Sequence, residues 1–263
     1  MKKGNSIFLR LAVLLFSAAL ISACSDDDAG NETPEVKQSP IKTIGVVYPD
    51  GVETYEFLYD ANGRVTSINN GWTQTGEEPS EPDLISYDYS VANKLTITKG
   101  ETETVYELDA NGRAVKEIIS DIESLSYEYD ADGFLVKITE TYEGTDYPKF
   151  DVTVANGNVT EHIRHNDPVR HKTFAFLSGD NVNGLHQTNP ADSDWKVLGG
   201  LLGKPSQKMV NYLEYWDEGA EAEIKKTTMA YEFDDKDRIT KWTRQLFDGN
   251  NEVYTYTYYE DAE

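Results

Sequence analysis

An all-β fold, a single large antiparallel up-and-down meander, is predicted from three observations. From residue 41 onward, apolar and polar residues alternate with period two. Short Asn/Asp/Gly clusters interrupt that alternation, as tight turns between strands require. One turn phrase also recurs. It reads Tyr59-Asp60-Ala61-Asn62-Gly63-Arg64-Val65, then Leu108-Asp109-Ala110-Asn111-Gly112-Arg113-Ala114, then Tyr129-Asp130-Ala131-Asp132-Gly133-Phe134-Leu135. Phe233-Asp234-Asp235-Lys236-Asp237-Arg238-Ile239 is a degenerate copy. Chemically this is a type I turn in which the Asp accepts a hydrogen bond, followed by a left-handed Gly that forms a bulge.

Taken in order, the alternation predicts strands near 41–48, 53–59, 64–69, 84–90, 94–99, 103–108, 113–119, 124–130, 134–141, 148–154 and 158–164. More follow near 207–216, 222–233, 238–247 and 252–259. About 14–15 strands in one meander exceed what a flat open sheet holds, so a curled or barrel-like sheet is expected. Residues 165–205 break the alternation. Ser193 is placed to cap a short helix through Leu202, weakened by Gly199 and Gly200. A helical or loop insertion near 190–205 is therefore expected to plug the concave side with Trp195, Val197, Leu198, Leu201 and Leu202.

Is the sheet soluble or membrane-spanning? A lipid-facing strand is apolar at every second residue, because a charge at the bilayer centre costs about 2–4 kcal/mol. Segment 113–119 carries Arg113 and Glu117 on one side and Lys116 on the other, which leaves no lipid face. A soluble sheet is expected.

The 263 residues include 24 Lys+Arg against 47 Asp+Glu, for a formal net charge of −23. So acidic a surface repels phosphate backbones, which argues against nucleic-acid binding. A single Cys excludes a disulfide framework and a Cys-rich zinc site. The mean hydropathy of −0.58 excludes a polytopic helical membrane protein.

Residues 1–23 read as a secretory signal, with Lys2, Lys3 and Arg10 ahead of the apolar run Leu11 to Leu20. The run ends in Ile21-Ser22-Ala23-Cys24, which resembles the bacterial lipobox. The resemblance implies lipidation of Cys24 and cleavage after Ala23. Cleavage removes three basic residues and no acid, so the mature chain is more acidic still. Ser25-Asp26-Asp27-Asp28 resembles the export signal of Bacteroidetes surface lipoproteins, which implies display on the outer face of the outer membrane. The domain plan is thus a cleaved signal over 1–23, a flexible acidic tether over 24–40 and one β domain over 41–263.

The turn phrase resembles the YD repeats of large secreted bacterial proteins. The whole chain resembles uncharacterised Bacteroidetes lipoproteins with a domain of unknown function and a porin-like β fold. In that family Leu198-Gly199-Gly200-Leu201-Leu202-Gly203-Lys204-Pro205 corresponds to a mid-chain Gly-Leu-Leu segment. The resemblance implies a fold and a location and no biochemical activity.

The chemistry-bearing residues point to no reaction. Glu161-His162-Ile163-Arg164-His165 and His171 lack metal-ligand spacing, and the Asp-x-Asn/Asp-Gly turns lack the distal carboxylate of a calcium loop. Gly199 to Pro205 has Pro where a phosphate loop needs Ser or Thr, and no G-x-S-x-G elbow exists. No catalytic residue, metal or cofactor is expected. Aromatic residues are the remaining lead: Tyr254, Tyr256 and Tyr258 share one face of the last strand, with Trp242 and Trp216 on neighbouring segments. Trp72 reads as a loop aromatic. These six are the candidate ligand contacts, with sheet packing as the alternative. The expected role is a monomeric, non-catalytic surface lipoprotein, held to the membrane by its N-terminal lipid alone. It would bind a glycan, peptide, lipid or envelope protein. An accessory component of an outer-membrane complex and a glycan-acting hydrolase are the competing readings.

Overall fold

A computed structural model describes residues 40–182, 184–188, 190, 200–219 and 223–259. The signal, Cys24 and the tether lie outside the described residues. The strands are β1 Ile41–Tyr48, β2 Gly51–Tyr59, β3 Val65–Gln74, β4 Asp83–Asp88, β5 Lys94–Lys99, β6 Thr102–Leu108, β7 Ala114–Ile118 and β8 Glu123–Tyr129. Then come β9 Leu135–Tyr142, β10 Thr145–Ala155, β11 Asn158–Arg164, β12 Arg170–Asp180, β13 Lys208–Asp217, β14 Lys225–Phe233, β15 Ile239–Gln245 and β16 Asn251–Tyr258. Each pairs antiparallel with its sequence neighbours, and β1 pairs with β16 to close a barrel.

Two expectations need correction. Sixteen strands form rather than 14–15, because Arg170–Asp180 is a strand and not part of the irregular segment. Trp72 lies within β3, which runs on to Gln74 by pairing with β2 down to Gly51. The ring packs over Gly51, where a Cβ would sit 2.5 Å from it. Of the expected short helix, residues 191–199 lie outside the described set; Leu201 and Leu202 form a turn.

Cross-strand partners share a face, so the register divides lumen from exterior. Ile44, Val46, Tyr254 and Tyr256 are partners and are buried inside. The lumen is filled by aliphatic side chains together with aromatic rings, among them Tyr87, Tyr106, Tyr127, Trp242, Tyr254 and Tyr256. The outer wall carries threonines and cross-strand ion pairs, such as Glu128–Lys137 at 3.7 Å and Glu232–Lys241 at 2.8 Å. Charges so placed suit water and not acyl chains.

The recurrent phrase has one geometry. In Asp109, Oδ1 accepts from the backbone N–H of Asn111 and Arg113, and Oδ2 accepts from Arg113 Nε. Asp60 and Asp234 repeat this with Arg64 and Arg238. Gly63, Gly112 and Gly133 take positive φ at the turn's end, and Asp237 does so at 58° where Gly is replaced. Just beyond each turn the ladder slips by one residue, as at Leu58/Tyr59, Glu107/Leu108, Glu128/Tyr129 and Glu232/Phe233. A bulge leaves backbone groups out of the ladder. Inward tyrosines reach carbonyls beside these slips: Tyr129 Oη donates to Ala114 O at 2.7 Å and Tyr258 Oη to Ile239 O at 2.7 Å. Tyr59 Oη likewise donates to Ile41 O, beside the slip in β1. Tyr59 and Tyr129 thus tie the wall behind them, while the Asp that follows each shapes the turn ahead.

One end of the barrel, where these turns lie, is crossed by the segment between β12 and β13. Ala114 N–H donates to Leu201 O, Lys204 N–H to Gly133 O and Gln207 N–H to Gly157 O. Leu185, Leu201 and Leu202 are buried in the core. The expected plug is thereby present in the described part of this segment.

Candidate functional site

A partly open cavity of about 300 Å³ lies within the barrel wall formed by β10 to β15. The register places the side chains in and beside it in cross-strand rows. One row runs Val152, His162, Lys172, Tyr215; the next, nearer the β11–β12 turn, runs Phe150, Arg164, Arg170, Asp217. Leu213, Thr227, Arg244, Leu246 and Phe247 complete the wall, with Pro190 reaching in from the crossing segment.

The lining of this cavity is richer in cations than the chain as a whole. Arg164, Arg170, Lys172 and Arg244 line it, and among the described residues no Asp or Glu does. Asp217 holds Arg170 from the side through Nε–Oδ1 at 2.6 Å and Nη2–Oδ2 at 3.0 Å. The carboxyl is lowered in pKa by that hydrogen bond. Glu252 holds Arg244 at 2.8 Å. Arg164 lies 5.7 Å from the Phe150 ring centre, and among the described residues no carboxylate pairs with it.

His162 is buried, 2 % exposed, and Nε2 has no hydrogen-bond partner. Burial lowers its pKa to about 3, with Lys172 adding to the effect, so the ring is neutral at pH 7. Nε2 is sealed within the packing of the wall. Phe174 meets the ring edge-on, with centres 4.9 Å apart. The arrangement offers cations and apolar rings, and among the described lining residues no nucleophile–base pair.

A family profile described as "Domain of unknown function (DUF4595) with porin-like fold" matches residues 57–241. The chain belongs to this family. A porin-like protein from Bacteroides uniformis ATCC 8492 shares the fold, with a TM-score of 0.69 and 18 % identity over 84 % of this chain and 98 % of that one. A porin-like protein from Bacteroides vulgatus ATCC 8482 aligns with a TM-score of 0.55 and 11 % identity over 85 % and 100 % of the two chains. No curated protein matches the chain.

Within this porin-like domain the six aromatic candidates do not form one platform. Tyr254, Tyr256 and Tyr258 face inward as the alternation requires, and Trp242 stacks on Tyr254 at 4.8 Å. Tyr254, Tyr256 and Trp242 are buried at 6–7 % exposure, and Tyr258 is half-buried with its hydroxyl on a carbonyl. Their surroundings are those of packed core. Trp216 faces outward, stacked at 5.1 Å on His171, whose Nε2 contacts Glu218 at 2.9 Å. Trp72 lies against Tyr48 at 5.9 Å, on the β2–β3 wall. Among the described residues no His/Cys/Asp/Glu group is placed to hold a metal.

Sequence reasoning missed the cavity cations. Arg170 and Lys172 occupy inward positions of a strand, where an apolar residue is the rule. That breach is the signal that could have found them: charged residues at inward positions on adjacent strands mark a cavity or a buried pair.

Proposed function

We propose that this is a lipid-anchored, non-catalytic binding protein displayed at the cell surface, and that its ligand site is the lumenal cavity of β10–β15. The observation that carries the reading is the cavity itself: a partly open space beside an otherwise packed apolar core, lined by rings, aliphatic chains and a few polar groups. Small-molecule sites have this character, apolar walls with a few placed polar groups. The lipobox-like Ile21-Ser22-Ala23-Cys24 and the acidic run after it support the anchor and its outward display. The water-suited outer wall supports a domain held beside the membrane by its tether.

The test is a titration with the neutral fluorophore N-phenyl-1-naphthylamine. The wild-type domain is expected to show one saturable site. Thr227→Phe, which pushes a ring into the cavity from a buried position, is expected to abolish it while leaving the thermal transition in place. No saturable binding to the wild type, or undiminished binding to the filled variant, removes the cavity as a binding site.

A further inference from the structure

Resting on that reading of the cavity, we infer that it is entered past Phe247 and Tyr215, at the barrel end opposite the start of β1, and that it takes a compact, flat aromatic ring system. The strand order distinguishes the two ends. β1 begins at Ile41 beside Tyr258, and the Asp-containing turns and the segment between β12 and β13 lie at that end. The cavity lies toward the other. Arg164 and Arg170 flank the turn from β11 to β12, Tyr215 pairs with Lys225 just before the turn from β13 to β14, and Leu246 and Phe247 follow β15. Exposure of the lining runs in the same direction. Phe247 is 52 % exposed, whereas Leu213 and Thr227, set one step deeper on their strands, are 6 % and 3 % exposed. Water therefore reaches the lining at Phe247, and the buried floor lies toward the crossing segment that contributes Pro190.

Walls and volume give the ligand class. Phe150, Tyr215 and Phe247 line the space, and Phe247 meets Tyr215 edge-on with ring centres 6.0 Å apart. A cation attends each ring: Arg164 lies 5.7 Å from the centre of Phe150, Arg170 5.5 Å from that of Tyr215 and Lys225 4.8 Å from that of Phe247. Arg170 and Arg244 are already held by Asp217 and Glu252, so they require no charge from a ligand. An aromatic face is attracted to a cation without neutralising it. Rings packed on rings also gain more than the area they bury accounts for. A cavity of about 150 Å³ holds benzene. About 300 Å³ therefore holds two fused rings.

Route and ligand class are tested separately, with N-phenyl-1-naphthylamine as the reporter of both. In a Cys24→Ser background, Asn250→Cys puts a thiol in the turn that carries Phe247, and Asn111→Cys puts one in a turn at the opposite end; both positions are exposed. Each thiol is biotinylated and capped with streptavidin. The cap beside Phe247 is expected to slow association and dissociation of the probe at least about tenfold against the same variant uncapped, and the opposite cap to leave both within about twofold. No slowing by the cap beside Phe247, or equal slowing by the two caps, overturns the route while the cavity reading stands. For the ligand class, 2-naphthol is expected to displace the probe at a severalfold lower concentration than decahydro-2-naphthol, which keeps the carbon frame and loses the flat rings. Equal displacement, or preference for the saturated alcohol, overturns the aromatic assignment and leaves the cavity. If the probe does not bind the wild type, or binds Thr227→Phe undiminished, the cavity reading fails and this inference with it.

Discussion

Replacing Asp109 with Ala tests whether the recurrent turn is held by its carboxylate or merely by its backbone conformation. The side chain accepts two backbone N–H groups at 2.8 and 2.9 Å and pairs with Arg113, whose guanidinium lies 4.5 Å from the Tyr129 ring centre. Asp109 and Arg113 are about a fifth exposed, so solvent weakens the pairing without erasing it. Capping-type losses cost about 0.5–2 kcal/mol, and the charge-assisted contacts add to that, giving about 2–3 kcal/mol. For a domain of this size the shift in Tm is about 5–10 °C. Asp130 accepts only the Phe134 N–H among the described residues and is followed by Phe rather than Arg. Asp130→Ala is therefore expected to cost about 1 kcal/mol, or about 2–4 °C. Thermal unfolding followed by circular dichroism reads both variants. Equal losses at the two positions would refute the carboxylate account and leave the positive-φ Gly as the feature that holds the turn.

The pH dependence of that variant has a fixed sign. Burial raises the Asp109 carboxyl's pKa, but the N–H donors of Arg113 and Asn111 and the guanidinium outweigh it, so the folded value lies below the ordinary 3.8. Its contribution is complete above that ordinary value and is lost as pH falls through the folded one. Wild type and Asp109→Ala are expected to converge in acid.

Further predictions rest on other parts of the barrel. Tyr258→Phe leaves the Ile239 carbonyl without its hydroxyl donor and is expected to cost about 1–3 kcal/mol, read as a lower urea midpoint. His162 has a folded pKa of about 3 against an ordinary 6.5, so its contribution is complete above 6.5 and falls as the solution is acidified. The slope is about 1.4 kcal/mol per pH unit for one such group, and His162→Phe is expected to flatten the urea midpoint against pH between 6.5 and 4.5. Cys24→Ala is expected to move the protein from the detergent-extracted membrane fraction to the soluble one. Retention in the membrane would remove the lipid anchor from the proposed function.

Most of the architecture is legible in the chain because its rules are local. Segments 41–48, 94–99 and 158–164 form β1, β5 and β11 with the expected bounds, and 94–99 alternates cleanly. The Asp-containing turns mark hairpins because the Asp oxygens meet backbone N–H groups only two and four residues on. Closure was open between a curled sheet and a barrel, since the β1–β16 pairing is written in no local pattern. The hidden strand is instructive in a different way. β12 begins Arg170-His171-Lys172-Thr173, preceded by Asp167-Pro168, and its inward positions hold cations. The residues that concealed the strand are the ones that charge the cavity. Natural sequences break their own patterning most often at functional sites. Two of the aromatic candidates show the opposite case: Tyr254 and Tyr256 obey the alternation and lie buried among core side chains.

The seam between β1 and β16 also sets an order of events. Fifteen of the sixteen pairings join strands adjacent in sequence, and each can form as soon as its hairpin exists. The remaining pairing unites residues such as Thr43 and Thr257, 214 positions apart. Until that contact forms, the sheet has two open edges and an uncovered aromatic face, the state in which β proteins aggregate. Such distant contacts are also the slow ones, because the entropy of closing the loop is lost before the contact repays it. A nascent chain of this kind therefore needs shelter until its sixteenth strand arrives, whereas the finished ring offers neighbouring copies no edge on which to add a strand.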